Sequence, residues 1–369
     1  MRYRQTFAEI DLDNLDYNLN TIHANCRKQL FCVVKANAYG HGAIEISQFI
    51  EKIDYVAYLC VSSIDEAIDL REAGITAPII NLGYTNPSHL YLCIEREITV
   101  SIISLDWLIE ALEANRNLEN LKCHIKVDTG MNRLGIKTYN DFAKVINIAT
   151  ENKIDLEGIF THYHSADAKE NTDSLNQLEL FKGFLNYTDY TFQWIHIANS
   201  DALIDIKENI SNAVRCGIAM YGYSTKTKIF KPVLRLHTNI TQAKELQPGD
   251  VVSYSATYKA TENMRIGILP IGYADGINRK LQNHYFYIND TPVRILGRIC
   301  MDQIIIEYPL SLTSLKVEII GKNQSCLDIA NILDTIPYEV LTNLSDRITR
   351  RYIYKQKIIK ETNLRYRFL

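Results

Sequence analysis

The sequence predicts an N-terminal (β/α)8 barrel of the TIM type followed by a mostly β C-terminal domain. About eight strand–helix units alternate along the first two-thirds of the chain, and strands separated by helices pair in parallel. Eight such units in about 230 residues fit a closed barrel better than a doubly wound sheet. No GxGxxG motif follows a predicted strand, which argues against a dinucleotide-binding fold.

Each predicted barrel strand is a short apolar run, and helical spacing of apolar residues fills the gaps between runs. A short strand at Phe7–Leu12 comes first, and Ser63 with Glu66 forms a capping box that opens a helix closed by Gly74. The predicted barrel strands are Leu30–Val34, Tyr55–Val61, Pro78–Leu82, Ile98–Ile103, Leu121–Val127, Leu156–His162, Trp194–Ile197 and Asn212–Val214. The other predicted helices are Asn14–Cys26, Ile44–Ile53, Asn86–Glu97, Leu105–Ala114, Tyr139–Ala149 and Ser174–Leu185.

The pattern changes near Pro232, where alternating residues and turns replace the strand–helix units. We therefore expect residues 1–234 to form the barrel and residues 235–369 to form the mostly β domain. The strands predicted there are His237–Ala243, Val251–Tyr258, Met264–Ile271 and Pro292–Ile299, with one helix at Cys326–Leu333.

Composition is that of an ordinary globular protein with a substantial core: 47% of residues are hydrophobic and 22% are charged. The net charge of -3 and the lack of a long basic run argue against nucleic-acid binding by charge. No apolar run is long enough to span a bilayer, and the start of the chain lacks an apolar signal core. The eight cysteines form no C-x-x-C pair, which predicts reduced thiols in a cytoplasmic protein.

Lys35 stands at the end of a buried strand and is followed by small residues and by two glycines, Gly40 and Gly42. Partial burial lowers the pKa of a lysine, so its free amine becomes available as a nucleophile or base. The glycines allow the backbone to approach a ligand closely.

Polar side chains also follow the other predicted barrel strands, and active residues of such barrels gather at the C-terminal ends of the strands. Taken singly, each fits an edge lysine, a buried histidine, a surface arginine or a helix N-cap, but five consecutive strand ends are hard to explain as core. Ser200 and Gly217 precede backbone N–H groups that suit a phosphate. The residues concerned are Lys126, Asp128, Arg133, His162, His164, His196, Asn199, Ser200, Arg215 and Gly217 to Gly222. A reactive lysine, phosphate donors and the hydroxyl of Tyr39 together suit pyridoxal 5'-phosphate held on Lys35.

Residues 34–42 (VKANAYGHG) resemble the cofactor-lysine signature of the alanine racemase family. Six further segments resemble the same family in the same order, so the resemblance covers nearly the whole chain. They are residues 126–135 (KVDTGMNRLG), 196–200 (HIANS), 215–222 (RCGIAMYG), 252–254 (VSY), 272–276 (GYADG) and 297–303 (GRICMDQ).

The resemblance implies a pyridoxal-phosphate enzyme that interconverts L-alanine and D-alanine and supplies D-alanine for peptidoglycan. It implies a homodimer in which Lys35 and Tyr254, the latter from the other subunit, are opposed bases. His162 is implied as the partner of Tyr254, linked to Arg215, which meets the pyridine nitrogen. The resemblance assigns the substrate carboxylate to Arg133 and the Met301 N–H, the phosphate to Tyr39, Ser200, Gly217 and Ile218, and a carbamylated side chain to Lys126.

The sequence departs from the family pattern at four positions. Cys216 and Thr349 stand where proline is usual, and Ser255 stands where glycine follows the catalytic tyrosine. Asp346 replaces a tyrosine that contacts the cofactor phosphate in some members, and a carboxylate cannot make that contact as an anion.

The sequence leaves three alternatives open. One is a racemase of serine or of broader specificity, because pocket size sets side-chain choice. Another is a metal-dependent barrel hydrolase that uses His162 and His164, with a carbamylated Lys126 bridging metals. A third is a barrel that binds pyridoxal phosphate without catalysis, which would not need Tyr254 and Met301.

Overall fold

A computed structural model describes residues 4–168, 170–206 and 208–363. The chain divides into two compact units. The first comprises Tyr17–Ala38 and Ala43–Phe230. The second comprises the described residues of Met1–Asp16, Tyr39–Gly42 and Lys231–Leu369.

The first unit is a closed barrel of eight parallel strands, β2 to β9, which confirms the predicted fold class. The strands are β2 Gln29–Val33, β3 Val56–Val61, β4 Ile79–Asn81, β5 Ile98–Ile102, β6 Lys122–Lys126, β7 Asp155–Phe160, β8 Trp194–His196 and β9 Ala213–Cys216. Helices lie at Leu12–Cys26, Ala43–Ile50, Ile64–Glu72, Leu90–Glu95, Leu105–Ala114, Tyr139–Glu151, Thr172–Asn186 and Ala202–Asp205, with a 3-10 turn at Pro87–His89.

Local sequence explains why several of these helices begin where they do. Ser63, Ser104 and Thr138 each have extended backbone. The side-chain oxygen of each accepts the backbone N–H of the residue three positions later, as an N-cap does. The residue that follows each cap opens an amphipathic helix whose buried positions pack on the barrel. The helix start predicted at Ser63 is confirmed, but the capping box is only half formed, because the Glu66 carboxylate accepts the N–H groups of Ala36 and Ser62.

The second unit contains a seven-stranded sheet in the order β16-β15-β18-β10-β1-β19-β20 and a three-stranded sheet in the order β11-β14-β17. The seven strands are β1 Thr6–Asp11, β10 Leu234–Asn239, β15 Tyr285–Ile288, β16 Thr291–Arg294, β18 Lys316–Ile320, β19 Thr349–Tyr354 and β20 Lys357–Thr362. The other strands are β11 Gln242–Leu246, β14 Met264–Leu269 and β17 Ile304–Glu307, with a two-stranded ladder of β12 Val251–Val252 and β13 Tyr258–Lys259. Two helices, Cys326–Leu333 and Pro337–Thr342, and 3-10 turns at Tyr254–Ala256, Tyr273–Asp275 and Arg279–Leu281 complete the unit.

Strand β1 differs from the sequence-based assignment of residues 1–234 to the barrel. It pairs with β10 in antiparallel fashion and with β19 in parallel fashion, so it lies inside the seven-stranded sheet. Its apolar side chains, among them Ile10, are buried in that sheet. An apolar strand pattern does not indicate which sheet the strand joins, and the sequence order favoured the barrel.

Three further expectations for the β domain are wrong in detail. The strand expected over Val251–Tyr258 is broken into β12, a 3-10 turn and β13, because three of its residues have positive φ. The strand expected over Pro292–Ile299 ends at Arg294, and a second helix, Pro337–Thr342, was missed. The final residues of the predicted domain, 364–369, lie outside the described residues.

Candidate active site

Lys35 directly follows β2 and Val34, and it opens a turn of left-handed helix. Ala36, Asn37, Ala38 and Tyr39 have φ values of 50, 55, 52 and 49°. Left-handed backbone costs roughly 1–2 kcal/mol for each residue with a Cβ. Four such residues in succession persist only where surrounding contacts enforce them, and strain of that kind concentrates at functional sites.

Hydrogen bonds from the barrel unit enforce the turn. The Ala36 N–H donates to Oε1 of Glu66 at 2.6 Å, and the Ala38 N–H donates to the Val34 carbonyl at 2.8 Å. Asn37 Oδ1 accepts the N–H of Ala43 at 2.8 Å. Sequence reasoning singled out Glu66 as a capping-box residue, whereas in the structure its carboxylate holds this turn.

The segment Tyr39–Gly42 is fixed within the second unit. Arg350 is fully buried and donates from Nε to the Gly40 carbonyl at 3.1 Å, while the Tyr352 hydroxyl donates to the His41 carbonyl at 2.9 Å. Gly40 has φ +78°, and a Cβ there would lie 2.3 Å from the Leu341 carbonyl oxygen, so this position requires glycine. Tyr39, expected to bind phosphate, is buried at the start of this segment.

Lys35 and Lys126 both lie in an environment that favours the neutral amine. Burial, and then the charge of Arg133, lower the pKa of Lys35. Lys126 ends β6 and is only 5% exposed, and its Nζ lies 5.5 Å from the centroid of the Phe160 ring. Burial, followed by the charges of Arg133 and Arg215, lowers the pKa of Lys126 to about 8.

Arg133 lies in the loop that follows β6 and is exposed. Asp128 shapes this loop, because its Oδ1 accepts the N–H groups of Gly130 and Asn132, each at 3.0 Å. The sequence placed Asp128 among the polar residues after the strand, and the structure gives it a role in the loop backbone. Arg133 is thus an accessible cation whose charge reaches both lysines.

Arg215 on β9 is 3% exposed and is held by five hydrogen bonds. Nη1 donates to Nδ1 and to the carbonyl of His196 at 2.6 and 3.1 Å. Nη2 donates to the carbonyls of Thr161 and Ile197 at 2.7 and 2.9 Å and to Nδ1 of His162 at 3.0 Å. Burial lowers the pKa of Arg215 to about 10, so the guanidinium remains charged at neutral pH. Within the described part of the chain these contacts use only the terminal nitrogens, which leaves the Nε–H as a donor.

His162 follows β7 and is half-buried. Arginine only donates, so the Nδ1 of His162 must accept, and the proton of the neutral ring lies on Nε2. Burial, and then the charge of Arg215, hold the pKa of His162 well below its usual range. His162 is therefore a neutral donor at Nε2. Gln177, which donates to its carbonyl at 3.1 Å, was not expected from the sequence.

The barrel residues expected to bind phosphate lie close together. Ser200 is 4% exposed, and its Oγ accepts the N–H groups of Gly217 at 3.0 Å and Ala219 at 3.3 Å. Ser200 is not an N-cap, because the helix begins at Ala202, whose N–H donates to the side chain of Asn199 at 3.1 Å. Ile218 is buried between the two residues whose N–H groups contact Ser200.

Tyr254 and Met301 lie in the second unit and are exposed by 70% and 52%. Ser253 and Ser255, on either side of Tyr254, have φ of 64° and 60°. The Ser253 hydroxyl donates to the Arg298 carbonyl at 2.5 Å, and Nη1 of Arg298 donates to Ser255 Oγ at 3.0 Å. The serine that departs from the family pattern therefore contributes to a clamp on the segment that presents Tyr254.

The remaining departures have varied surroundings. Cys216 is fully buried, with its Sγ 3.5 Å from the Sγ of Cys32 on the neighbouring strand. Thr349 is buried in β19, and Asp346 is exposed.

The metal-dependent alternative requires a set of ligands, which we sought among the described residues. In residues 4–168, 170–206 and 208–363, no group of three or more His, Cys, Asp or Glu side chains is placed to hold a metal ion. His164, a ligand in the hydrolase hypothesis, instead contacts the hydroxyl of Ser165 at 2.5 Å through Nδ1.

A search of the described helices found none with the length and apolar character needed to cross a membrane.

The fold and the site define a (β/α)8 barrel protein with a half-buried lysine amine and a buried arginine at the carboxyl ends of its strands. A family model for the N-terminal domain of alanine racemase matches residues 10–225, and one for the C-terminal domain matches residues 233–352. The chain belongs to the alanine racemase family, and it is an isomerase that acts on alanine and depends on pyridoxal phosphate.

Individual relatives agree with this assignment. The chain is 40% identical over 363 residues to an alanine racemase of Streptococcus agalactiae, covering 95% of this chain and 99% of the relative. A crystal structure of alanine racemase from Bacillus anthracis with bound L-Ala-P is 33% identical, with a TM-score of 0.93 and coverage of 98% of both chains. An alanine racemase structure from Clostridium difficile is 34% identical, with a TM-score of 0.93 and coverage of 98% of this chain and 99% of that one.

Proposed function

We propose that this chain interconverts L-alanine and D-alanine with Lys35 and Tyr254 as the two bases, and that it supplies D-alanine for peptidoglycan in the cytoplasm. The observation that carries the proposal is the Lys35 amine, whose pKa is lowered by burial and which stands on an enforced turn at a barrel strand end. The free cysteines are consistent with a reducing compartment.

The donor set around Lys35 fits pyridoxal phosphate. Lys35 supplies the amine for the aldehyde, and the Nε–H of Arg215 is a donor for the pyridine nitrogen. Donors for the phosphate would be the hydroxyls of Ser200 and Tyr39, the N–H of Ile218, and the N–H of Gly217 once it turns from Ser200 Oγ to the phosphate. When bound, the cofactor withdraws electrons from Cα of the amino acid and makes its proton acidic. Visible absorbance of the lysine-bound cofactor, lost on reduction with borohydride, tests this assignment.

Arg215 holds its proton because its pKa of about 10 lies well above neutral pH. It would therefore donate a hydrogen bond to the pyridine nitrogen but keep its proton. A carboxylic acid at this position would transfer its proton to that nitrogen. We expect this to restrain transamination relative to racemisation. Arg215→Glu should raise the ratio of the two reactions, and an unchanged ratio would contradict the role.

Racemisation needs one group on each face of Cα, because the proton leaves from one face and returns to the other. Lys35 serves one face. Tyr254 of the partner subunit serves the other, and the neutral His162, through its Nε2–H, stabilises the phenolate of that tyrosine. Arg133 and the N–H of Met301 of the partner subunit bind the substrate carboxylate.

A homodimer with shared sites follows from this assignment. The exposure of Tyr254 and Met301 supports an arrangement in which residues 235–369 complete the site formed by residues 1–234 of the other chain. Each dimer would then hold two sites, each built from both chains.

Subunit complementation tests the shared site. Lys35→Ala and Tyr254→Phe should each be inactive as homodimers. Unfolded and refolded together in equal amounts, they should recover about a quarter of wild-type activity, because half of the dimers are mixed and each mixed dimer has one intact site. No recovery, with mixed dimers shown to be present, would place both residues in one chain's site.

The substrate range needs its own experiment. A panel of L-amino acids scored for the D-product should rank alanine first. A comparable rate with serine would favour the broader racemase. Cofactor binding without any D-product would favour a binding protein and would contradict the proposed function.

We also propose that Lys126 carries a carbamate that pairs with Arg133. Carbon dioxide reacts with the neutral amine, and the neutral fraction of Lys126 grows as pH rises through about 8. A carbamate signal from 13C-labelled bicarbonate should therefore increase between about pH 6.5 and about pH 9 and be absent in Lys126→Met. A signal that is equally strong in that variant would assign the carbamate elsewhere.

A further inference from the structure

Two histidines continue the hydrogen bonding of Arg215 into the barrel interior. Nδ1 of His196 lies 2.6 Å from Nη1 of Arg215, and Nε2 of His196 lies 2.9 Å from Nδ1 of His124. Both histidines are fully buried. His124 lies on β6 and His196 on β8, and neither faces solvent.

The direction of every hydrogen bond in this chain follows from Arg215. A guanidinium only donates, so Nδ1 of His196 must be unprotonated. The proton of the neutral His196 ring then lies on Nε2 and is donated to Nδ1 of His124. His124 in turn carries its proton on Nε2, which has no hydrogen-bond partner among the described residues. Burial lowers the pKa of both histidines, that of His124 to about 3, so both rings are neutral at working pH.

The surrounding residues fix the positions of the His124 and His196 rings. A Cβ at Gly158 would lie 2.6 Å from Nδ1 of His124, so the glycine makes room for the His124–His196 contact. Phe160 stacks on the His196 ring at 4.7 Å with an interplanar angle of 6°, and Tyr58 meets the His124 ring edge to face at 5.5 Å. Stacking on Phe160 therefore fixes the plane of the His196 ring, and the hydrogen bonds to His124 and Arg215 fix which way the ring faces within that plane.

We propose that His124 is a positioning residue for the racemase: its Nδ1 accepts the Nε2–H of His196 and thereby holds the His196 ring with Nδ1 facing Arg215. Without His124, the Nε2–H of His196 loses its acceptor, and the ring can turn its Nδ1 away from Arg215. The guanidinium then loses one of its two Nη1 acceptors and is less firmly aligned. The inference rests on the proposed function only through the role of Arg215.

Neutron diffraction of the deuterium-exchanged holoenzyme tests the tautomers directly. The expected result is deuterium on Nε2 and none on Nδ1 of both His196 and His124. Deuterium on Nδ1 of His196 would overturn the proposal without reference to any variant or activity.

Kinetics of variants test the consequence for Arg215. His124→Phe should lower kcat by roughly tenfold and leave KM within about twofold, since one charge-assisted hydrogen bond is lost. His124→Asn, whose Oδ1 replaces the Nδ1 acceptor, should restore most of kcat. His89→Phe, the same substitution at an exposed histidine of the barrel unit, is the matched control and should leave kcat unchanged.

The outcomes separate the inference from the proposed function. Equal kcat for His124→Phe and wild type, or a His124→Asn variant as slow as the folded His124→Phe, would refute the positioning role. The predicted tautomers, found in an enzyme that makes no D-alanine from L-alanine, would instead refute the proposed function and leave the tautomer assignment standing.

Discussion

The surroundings of Arg215 and those of Tyr254 differ in how fully one chain provides them. Arg215 lies inside the barrel with five hydrogen bonds, two of them to neutral histidine rings. Tyr254 is exposed on a short turn of positive φ, held by two hydrogen bonds between Arg298 and the serines beside the tyrosine. The barrel half of the proposed site is preformed, whereas Tyr254, the proposed second base, is exposed and would be buried only by the partner subunit of the proposed dimer.

The barrel half is also electrostatically unbalanced. Burial, and with it the positive charge of Arg133, lowers the pKa of Lys35, Lys126 and Arg215. Folding therefore brings positively charged side chains close together, and an anionic ligand would reduce the repulsion between them. This explains why a site of this kind suits a cofactor with a phosphate and a substrate with a carboxylate.

Removal of the Lys35 amine should have the largest effect on activity. We expect Lys35→Ala to lower kcat/KM by roughly three orders of magnitude or more, because both the cofactor attachment and one base are lost. Added methylamine should restore part of the rate. The exposed Lys144 provides the control, since Lys144→Ala should racemise alanine normally. Racemase activity in Lys35→Ala without an added amine would contradict the assignment.

Much of this half was predictable from the sequence. The strand ends and the spacing of polar residues after them predicted the barrel and the cluster around Lys35 and Arg215. The left-handed turn after Lys35 was not predictable, because it is enforced by distant groups such as Glu66 and by residues without a local signal for positive φ. The role of His124 was not predictable either. Its position inside a strand is that of a core residue, and only the fold brings it to His196.

Arg215→Lys should reduce the rate by about a hundredfold. A lysine ammonium is a single point donor and cannot reach His196, His162 and two carbonyls together, so buried acceptors lose partners. Alanine racemisation and thermal unfolding should both be measured, because the loss of hydrogen bonds also lowers stability. Arg265→Lys, in the second unit, tests whether an arginine change elsewhere has the same effect. A near-normal kcat in Arg215→Lys would show that the several N–H donors of the guanidinium are not required.

Glu66→Gln should weaken the enforced turn more mildly, by about three- to tenfold in the affinity of the apoenzyme for pyridoxal phosphate. Oε1 and Oε2 of Glu66 accept the N–H groups of Ala36 and Ser62, and an amide replaces one acceptor by a donor. Fluorescence titration of the apoenzyme measures the affinity, and Asp65→Asn, an exposed neighbour on the same helix, is the control. Equal affinity in Glu66→Gln and wild type would mean that the carboxylate does not hold the turn.

The same variant has a predictable pH effect. Burial and Arg133 lower the pKa of Lys35, and the negative charge of Glu66 partly opposes them. Removal of that charge lowers the pKa further, so the neutral amine persists to lower pH. The rate of cofactor capture by Glu66→Gln apoenzyme should therefore reach half its maximum at a lower pH than in wild type. A shift to higher pH would show that Glu66 does not act on Lys35 by charge.

The smallest expected effect tests the Tyr254 half. Ser255→Ala removes the acceptor for Arg298 and retains a Cβ at φ 60°, so we expect a kcat/KM lower by about three- to fivefold. Ser255→Gly removes the same hydrogen bond but relieves a left-handed strain of roughly 1 kcal/mol. The glycine variant should therefore be the more active of the two, and hydrogen exchange of residues 253–256 should be faster in the alanine variant. Equal rates would mean that the Arg298 contact alone sets the position of Tyr254. A faster alanine variant would mean that the strained backbone, not its relief, presents the tyrosine to the partner chain.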